Sequence, residues 1–560
     1  MKRSACLSRR TLPPDTGTDG ALIGQRPLRI VARTLERALL IAAVLIAVTT
    51  GRADAQPAVD HSPAALASTS GASTAAAQTV ATANTILCES KDGQRVQCPA
   101  TTSGGVTLVK PTGTAPCLIG KTWGYDATGV WVSDNCGGEF ALGQTEGSAA
   151  TPPVTASPRP KPIETWGEFD PGDGFLVGRG KAGSLSISGY ALARYMNQMP
   201  GQSTFTDHLG NTHTVDGRND IYSHRVMVFF KGYLGTTKLV YAITFWTVNT
   251  TDQRAIFANI GYQFSRKFSL YTGMNGNPGT RSLQGSHPYW LGQDRVMADE
   301  FFRPFFGAGV WAQGEAVPGL WYNAVMTNNS SSLGTKSSQL DRTFSTGASM
   351  WWMPTTKEFG PRGAYGDWEQ HEKVATRFGF STTRSPEQRF TSATLGTPDN
   401  TTIRLADSVN VFDAGALAPG VTVDTVNYRI LSFDAGMKYR GIFLQTEIYN
   451  RWLDNFNADG ILPVSSIHDT GFYVQGAFYP LPKKLEVYGA TSQIFGDNDA
   501  GFGNSNEVLG GVNYYVADTR NHRLNIQLVH VNRSPVSSAF GYYVGGQTGN
   551  TLSVGFSVFF

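Results

Sequence analysis

The last ten residues, Thr551-Leu-Ser-Val-Gly-Phe-Ser-Val-Phe-Phe560, alternate strictly. Leu552, Val554, Phe556, Val558 and Phe560 fall on one side, and Ser553, Gly555, Ser557 and Phe559 on the other. A period of two predicts a strand, not a helix. The same split recurs upstream. Over Gly441–Trp452, Ile442, Leu444, Ile448 and Trp452 oppose Gln445, Glu447, Tyr449 and Arg451. Over Ser184–Tyr195, Leu185, Ile187, Ala191, Ala193 and Tyr195 oppose Ser184, Ser186, Ser188 and Arg194, with Leu192 the exception on the polar side. Over Leu524–His530, Leu524, Ile526 and Leu528 oppose Asn525 and Gln527. An aliphatic face backed by a small, polar one suits a strand between lipid and a water-filled lumen. A soluble sandwich alternates too. Its polar faces carry more charge, and its strands are usually shorter than the roughly 9–11 residues that a tilted membrane strand needs.

The connections test this reading independently. Strands are expected to begin near Gly183, Ser223, Lys238, Ala255, Phe268, Phe305, Gly319, Arg342, Lys373, Asn427, Gly441, Thr470, Lys484, Asn506, His522 and Gly549. That is about sixteen, an even number, as a single-chain bacterial barrel requires. Links such as Gly235–Thr237, Ser265–Lys267, Arg440-Gly441 and Pro480–Lys483 are short. Between them lie long ones: Asn197–Tyr222, Asn275–Pro304, Thr382–Val426, Leu453–Asp469 and Asn532–Thr548. Short turns at one end and long loops at the other describe a barrel of the outer-membrane type, the short end facing the periplasm. Pro354–Glu372 breaks the rule, being long on the short-turn side: either it is a genuine long turn or the strand count slips there.

Before the barrel the chain divides into four pieces. Residues 1–55 read as a signal peptide. Arg29, Arg33 and Arg37 precede the apolar run Ala38–Val48, and Ala53-Asp54-Ala55 follows as a small-x-small cleavage site. Residues 56–85 are mostly Ala, Ser and Thr and form a tether without a core. Residues 86–142 hold Cys88, Cys98, Cys117 and Cys136. An even set in a short exported segment points to two disulfides, with Cys88–Cys98 and Cys117–Cys136 favoured among three connectivities. Zinc is the rival, weakened by the lack of a close C-x-x-C pair. Short strands are expected at Val106–Val109 and Val130–Val132. Trp123, Tyr125 and Trp131 are either the core of this small domain or a sugar-stacking platform that contacts peptidoglycan. Residues 143–162 form a Pro/Thr-rich linker, and 163–560 the barrel.

Composition agrees and narrows the function. Only 16% of the 560 residues are charged, 11% are aromatic, and glycine numbers 63. Aromatic content excludes a disordered chain. A formal net charge of +3 gives no argument for nucleic-acid binding. An enzyme is not expected. Gly-x-Ser-x-Gly and His-Glu-x-x-His are absent, and His224, His468, His522 and His530 have no nucleophile pattern around them. Gly178-Arg-Gly180-Lys-Ala-Gly183 matches a dinucleotide fingerprint by letter but runs into a period-two strand instead of a helix. No cofactor or metal is implied.

Four stretches carry a family resemblance: Gly436–Phe456, Gly471-Phe-Tyr-Val-Gln-Gly476, Pro480-Leu-Pro-Lys-Lys-Leu-Glu-Val-Tyr-Gly489 and Val508-Leu-Gly-Gly-Val-Asn-Tyr-Tyr-Val516. The barrel segment resembles the phosphate-selective (polyphosphate-selective) porins. The cysteine segment, with Gly124-Tyr-Asp126 and Gly129-Val-Trp-Val132, resembles a family of small disulfide-linked bacterial envelope domains of unknown function. The first resemblance implies a homotrimeric channel in outer-membrane lipid. It also implies a third long loop folded inward as a constriction, here Asn275–Pro304 with Arg281, Arg295 and Arg303, and anions passed along a ladder of Arg and Lys. The family's N-terminal coiled-coil heptads are not seen here. By alternation Arg194, Arg225, Lys231, Lys373, Arg377 and Arg451 also point inward. Arginine suits anions because its charge is permanent and its donor fork matches phosphate oxygens. Acids stand against this: Glu447 shares a face with Arg451, and Asp294, Asp299 and Glu300 lie in the same loop. The resulting expectation is an outer-membrane porin for small hydrophilic solutes, with an anion preference, carrying a small periplasmic domain. The first rival is an envelope tether or adhesin whose periplasmic domain binds cell-wall glycan, and the second is an outer-membrane hydrolase.

Overall fold

The period-two stretches fold into one continuous antiparallel wall. The structure, a computed structural model, describes residues 85–103, 105–142, 174–248, 253–285, 287–330, 343–389, 403–537 and 541–560. The expected signal peptide, the tether up to residue 84 and the linker lie outside the described residues. The two units of the chain are taken separately.

In residues 174–560, sixteen long strands pair each with the next, from Ser184–Pro200 and Asn219–Leu234 to His522–Asn532 and Gly549–Phe559. The last strand then pairs with the first, Phe559 opposite Tyr190 and Gly549 opposite Pro200, and the barrel is closed. A short strand, Phe175–Arg179, pairs with the remaining part of the first strand, from Ile187 to Ser184. It continues the line of the final strand and leaves no bare edge there. The turn between this short strand and the first long one holds Gly180 and Gly183 of the fingerprint-like segment, and Gly178 lies in the short strand. Gly180 donates its N–H to the Gly183 carbonyl at 2.8 Å. A Cβ at Gly183 would stand 2.3 Å from the Tyr233 carbonyl oxygen, so close backbone approach accounts for this glycine.

The alternation fixes which residues face out. Ile442, Leu444 and Ile448 are about half exposed (51%, 48% and 52%), whereas Gln445, Glu447, Tyr449 and Arg451 between them are at most 1% exposed. At the closure of the barrel, Leu552 and Val554 cluster with Tyr195, Met199, Leu524 and Ile526, while Ser553, Asn525 and Gln527 are buried on the inner side. Leu192, the apparent exception, faces inward, where it joins Tyr190, Met227 and Phe229 in an aromatic-rich cluster. An aliphatic belt with every wall N–H and C=O committed to a neighbouring strand is what the hydrocarbon region demands. None of the described helices is long and apolar enough to cross a membrane.

The exceptional long link is genuine: it joins strands Phe344–Trp352 and Ala375–Gln388 without disturbing the strand count. It turns inward. Phe359, Ala364, Tyr365 and Asp367 are buried, and Lys438 of the wall donates Nζ–H to the Phe359 carbonyl at 2.8 Å. A second inward segment, 403–417, buries Ile403, Leu405, Val411, Phe412 and Leu417 against Val423, Leu453 and Phe502.

Residues 85–142 form two three-stranded sheets. One orders Thr85–Glu89, Gly137–Leu142 and Val106–Pro111, and the other Val96–Pro99, Gly129–Val132 and Trp123–Asp126. The disulfides are Cys88–Cys98 and Cys117–Cys136, spanning separations of 10 and 19 residues. With a core of only a few side chains, among them Val130, Val132 and Phe140, the unit depends on such cross-links. Trp123 belongs to that core, 4.9 Å from Phe140 by ring centroids. Trp131 faces the other way, half-buried, with the Arg95 guanidinium 4.0 Å above its ring. Tyr125 is exposed.

The outward assignment has a direct consequence. Ile448→Arg, in the middle of a wall strand, is expected to lower the unfolding free energy in lipid by about 2–4 kcal/mol. Ile461→Arg, at a 92% exposed position beyond the same strand, is expected to leave it nearly unchanged. Urea titration of the protein folded into vesicles compares the two.

Candidate functional site: the crossed lumen

The third long loop, 275–304, joins strands Phe268–Gly276 and Phe306–Val317, which pair with each other up to Gly276 opposite Phe306. Beyond that ladder the chain leaves the wall and folds into the lumen. It forms a short 3-10 turn, Arg281–Gln284, and one helix, α1 (Met297–Phe302). Almost every described residue of the loop is buried. It reaches the opposite arc: the Gln293 side chain occupies the space where a Cβ at Gly555 would be, and Asn513 donates to the Leu291 carbonyl at 2.8 Å.

Charges on this loop meet charges on the wall. Asp294 lies between two wall arginines, 3.7 Å from Arg194 and 3.5 Å from Arg225. Arg194 also donates Nε–H to the Tyr222 hydroxyl at 2.9 Å. Arg295 donates to Ser282 Oγ at 2.8 Å and stacks 4.4 Å over Trp290. Arg303 forks onto both oxygens of Glu300, at 2.9 and 3.0 Å. Arg281 donates its backbone N–H to Glu447 at 2.9 Å and its guanidinium to the Gly363 carbonyl at 2.7 Å, so the loop and the inward link meet there. On the wall, Arg377 donates to Asp434 at 2.9 Å, and Arg451 to Asp469 at 2.6 and 3.1 Å. Nearly every one of these guanidiniums also lies over an aromatic face, Arg451 over Phe301 at 4.0 Å and Arg281 over Tyr365 at 4.2 Å. A guanidinium taken out of water needs both kinds of partner, because an uncompensated buried charge is very costly.

The expected site residues therefore divide. Arg194, Arg225, Arg281, Arg295, Arg303, Arg377 and Arg451 converge on the lumen, each at most 6% exposed. Their surroundings are protein, not an open bore. Lys231 shares the inner face with Arg225 and Phe229 and is half-buried. Lys373 lies just before strand Ala375–Gln388 and is exposed at the short-turn end, outside the cluster. Of the acids noted in the sequence, Asp294 and Glu300 sit on guanidiniums, whereas Asp299 accepts from Ser282, and Glu447 accepts the Arg281 backbone N–H while Arg451 pairs with Asp469. Residues that the sequence reading missed include Lys438, Arg523, Asp434, Asp469 and Glu507. Arg523 donates to the Trp290 carbonyl at 2.5 Å and the Gly292 carbonyl at 3.2 Å. Extending the alternation one residue before Leu524, and through Leu431, Phe433 and Met437, would have found Arg523, Asp434 and Lys438.

At the short-turn end His371 bridges two carboxylates. Its Nδ1–H donates to Asp367, and its Nε2–H to Glu358 at 2.9 Å. These partners raise the imidazole to about 9, Asp367 contributing most, while His371 in turn helps hold Glu358 and Asp367 below the usual carboxylate range. Asp367, Glu369 and His371 have a spacing that could take a metal ion. Asp367 already accepts the Gly441 N–H at 2.7 Å, and Glu369 faces Arg520 at 3.2 Å and Lys438 at 3.8 Å. With two cations against it, the group is an ion-pair network.

The fold is that of a closed, sixteen-stranded membrane-type barrel with an inward third loop. A family model described as a protein of unknown function (DUF3011) matches residues 64–161. No curated protein matches the chain. Among solved structures, OmpT of Vibrio cholerae is similar, with 11% identity over 68% of this chain and 99% of its own, and a TM-score of 0.41. An anion-selective porin from Comamonas acidovorans gives 10% identity over 68% and 100%, with a TM-score of 0.40. Salmonella typhi OmpF gives 14% over 69% and 100%, with 0.41. At such identities and scores these likenesses carry no argument about the function of this chain.

Two outcomes follow from the geometry. Asp469→Ala strands the Arg451 charge and is expected to cost about 3–5 kcal/mol, whereas replacing both partners with apolar residues of similar volume is expected to cost far less; urea unfolding of the folded barrel measures both. Because His371 is raised when folded, its contribution is complete below its unfolded value of about 6.5 and is lost as pH rises through about 9. The stability gap between wild type and His371→Gln is thus expected to be wide near neutrality and to close in alkaline buffer, as read by thermal unfolding across pH.

Proposed function

We propose that the chain is an outer-membrane porin that passes small hydrophilic solutes, with its N-terminal unit in the periplasm and a homotrimeric assembly. The observation that carries this reading is a closed barrel with an aliphatic outer belt and a strongly ionic lumen crossed by its third loop. A soluble barrel has no use for that belt, and a merely structural membrane barrel has no use for so many buried guanidiniums. Lipid contacts the belt, and solutes meet the loop.

A modest anion preference is the finer part of the proposal. In its favour, Arg194 and Arg225 share the carboxylate of Asp294. Against a strong preference, Asp434, Asp469 and Glu300 each hold a guanidinium directly. Selectivity for phosphate, as the sequence resemblance implies, needs donor forks released from those acids. The tether reading keeps less support: with Trp123 in the core, only Tyr125 and Trp131 remain to stack on glycan.

The reversal potential of the refolded full-length protein in a planar bilayer under a KCl gradient is the test. A small potential on the anion side is the expected result. A cation-side potential would overturn the anion preference, and an absence of conductance in both neutral and acid buffer from protein shown to be folded would overturn the channel.

A further inference from the structure

The loop that crosses the lumen is held there in an unusual way. Buried backbone groups need partners, and residues 275–304 have few partners in a sheet beyond Gly276. Wall side chains supply them instead. The N–H of Gln293 donates to the Tyr542 hydroxyl at 2.8 Å, and that of Ala298 to Ser492 Oγ at 3.3 Å. The Tyr428 hydroxyl donates to the Phe302 carbonyl at 2.6 Å. Water can replace each of these when the loop withdraws, and none of them belongs to the ladders that close the barrel. The loop's only covalent attachments are two strands that already pair with each other. Its withdrawal would leave the wall ladders intact and would uncover Trp290, Leu291, Met297, Phe301 and Phe302, which pack in the lumen core.

Two of the fastenings are carboxylates. Glu507 accepts the N–H of Met297, the first residue of α1, at 2.8 Å, with the Ser492 hydroxyl at 2.7 Å and the Tyr543 hydroxyl at 2.5 Å. Glu447 accepts the N–H of Arg281 at 2.9 Å and the Tyr449 hydroxyl at 2.8 Å. Both are fully buried. Among the described residues Glu507 has no ion pair: its titratable neighbour is Tyr543 from the last long loop, with Asp294 beyond it. Glu447 faces Asp434 on one adjacent strand and Tyr473 on the other, Tyr449 on its own strand, Arg281 and Asp299 of the loop, and Tyr365 of the inward link.

We propose that the third loop is a gate, closed across the lumen by the wall carboxylates Glu507 and Glu447, and that acid opens it. Each carboxylate accepts hydrogen bonds from the donors named above. A proton on Glu507 adds another donor among the Met297 N–H, Ser492 and Tyr543 and removes the charge that strengthens all three bonds. The population then shifts toward the state with the loop withdrawn and the arginines exposed to water. This rests on the channel reading and adds to it a closed state and the groups that release it.

Single-channel recording of the full-length protein tests the gate, with heat-modifiable electrophoretic mobility showing that each variant is folded. Wild type is expected to be mostly closed near about pH 7.5 and to gain about tenfold in open probability near about pH 4.5. Glu507→Gln, which presents an amide to the same donors, is expected to be open at both. Tyr543→Phe keeps the ring and removes one donor, so its opening midpoint is expected to move to higher pH. Wild type and Glu507→Gln conducting alike, without dependence on pH, would overturn the gate while leaving the channel standing. No conductance from any folded variant at either pH would overturn both.

Discussion

Everything in the larger unit depends on the pairing of its last strand with its first. A barrel in hydrocarbon has no water to satisfy an open edge, so the sixteen strands are stable together only when Gly549–Phe559 meets Ser184–Pro200. That closure forces each strand to present one face to lipid and one to the inside. The belt of Ile442, Leu444 and Ile448 and the inner row of Gln445, Glu447, Tyr449 and Arg451 are two aspects of one constraint.

Closure also creates the chemical problem inside. Ten or more buried guanidiniums and carboxylates share a low-dielectric interior with tyrosines and phenylalanines. The solution is local pairing: Arg303 on Glu300, Arg377 on Asp434, Arg451 on Asp469, with aromatic faces behind the cations. Three segments that are not wall (the third loop, the long link at the short-turn end and residues 403–417) supply many of the partners. Filling the lumen and satisfying its charges are thus accomplished by the same residues, and any conducting state has to rearrange them.

Much of this was legible in the residues. A period of two is local, so strand order, outward faces and the inward direction of Arg194, Arg377 and Arg451 could be read directly. Short spacings favoured the observed disulfides. Boundaries were harder. Lys373 was assigned to a strand that begins at Ala375, because nothing in Glu372-Lys-Val374 marks where pairing starts. The inward course of the link over Phe359 and Tyr365 was not legible at all. Its burial depends on Lys438, Arg281 and Arg520, which are distant in sequence. Glu507 was unreadable for the same reason: its partners Met297 and Tyr543 come from two loops separated by most of the barrel.

The central claim is that the third loop lies fastened across the lumen of an intact barrel. Hydrogen exchange of the folded protein in lipid nanodiscs at neutral pH addresses it most directly, read at the amides of Arg281, Gln293, Met297 and Ala298. The account expects protection approaching that of the wall strands. Exchange at these amides as fast as in the exposed hairpin Thr204–Thr214 would contradict it.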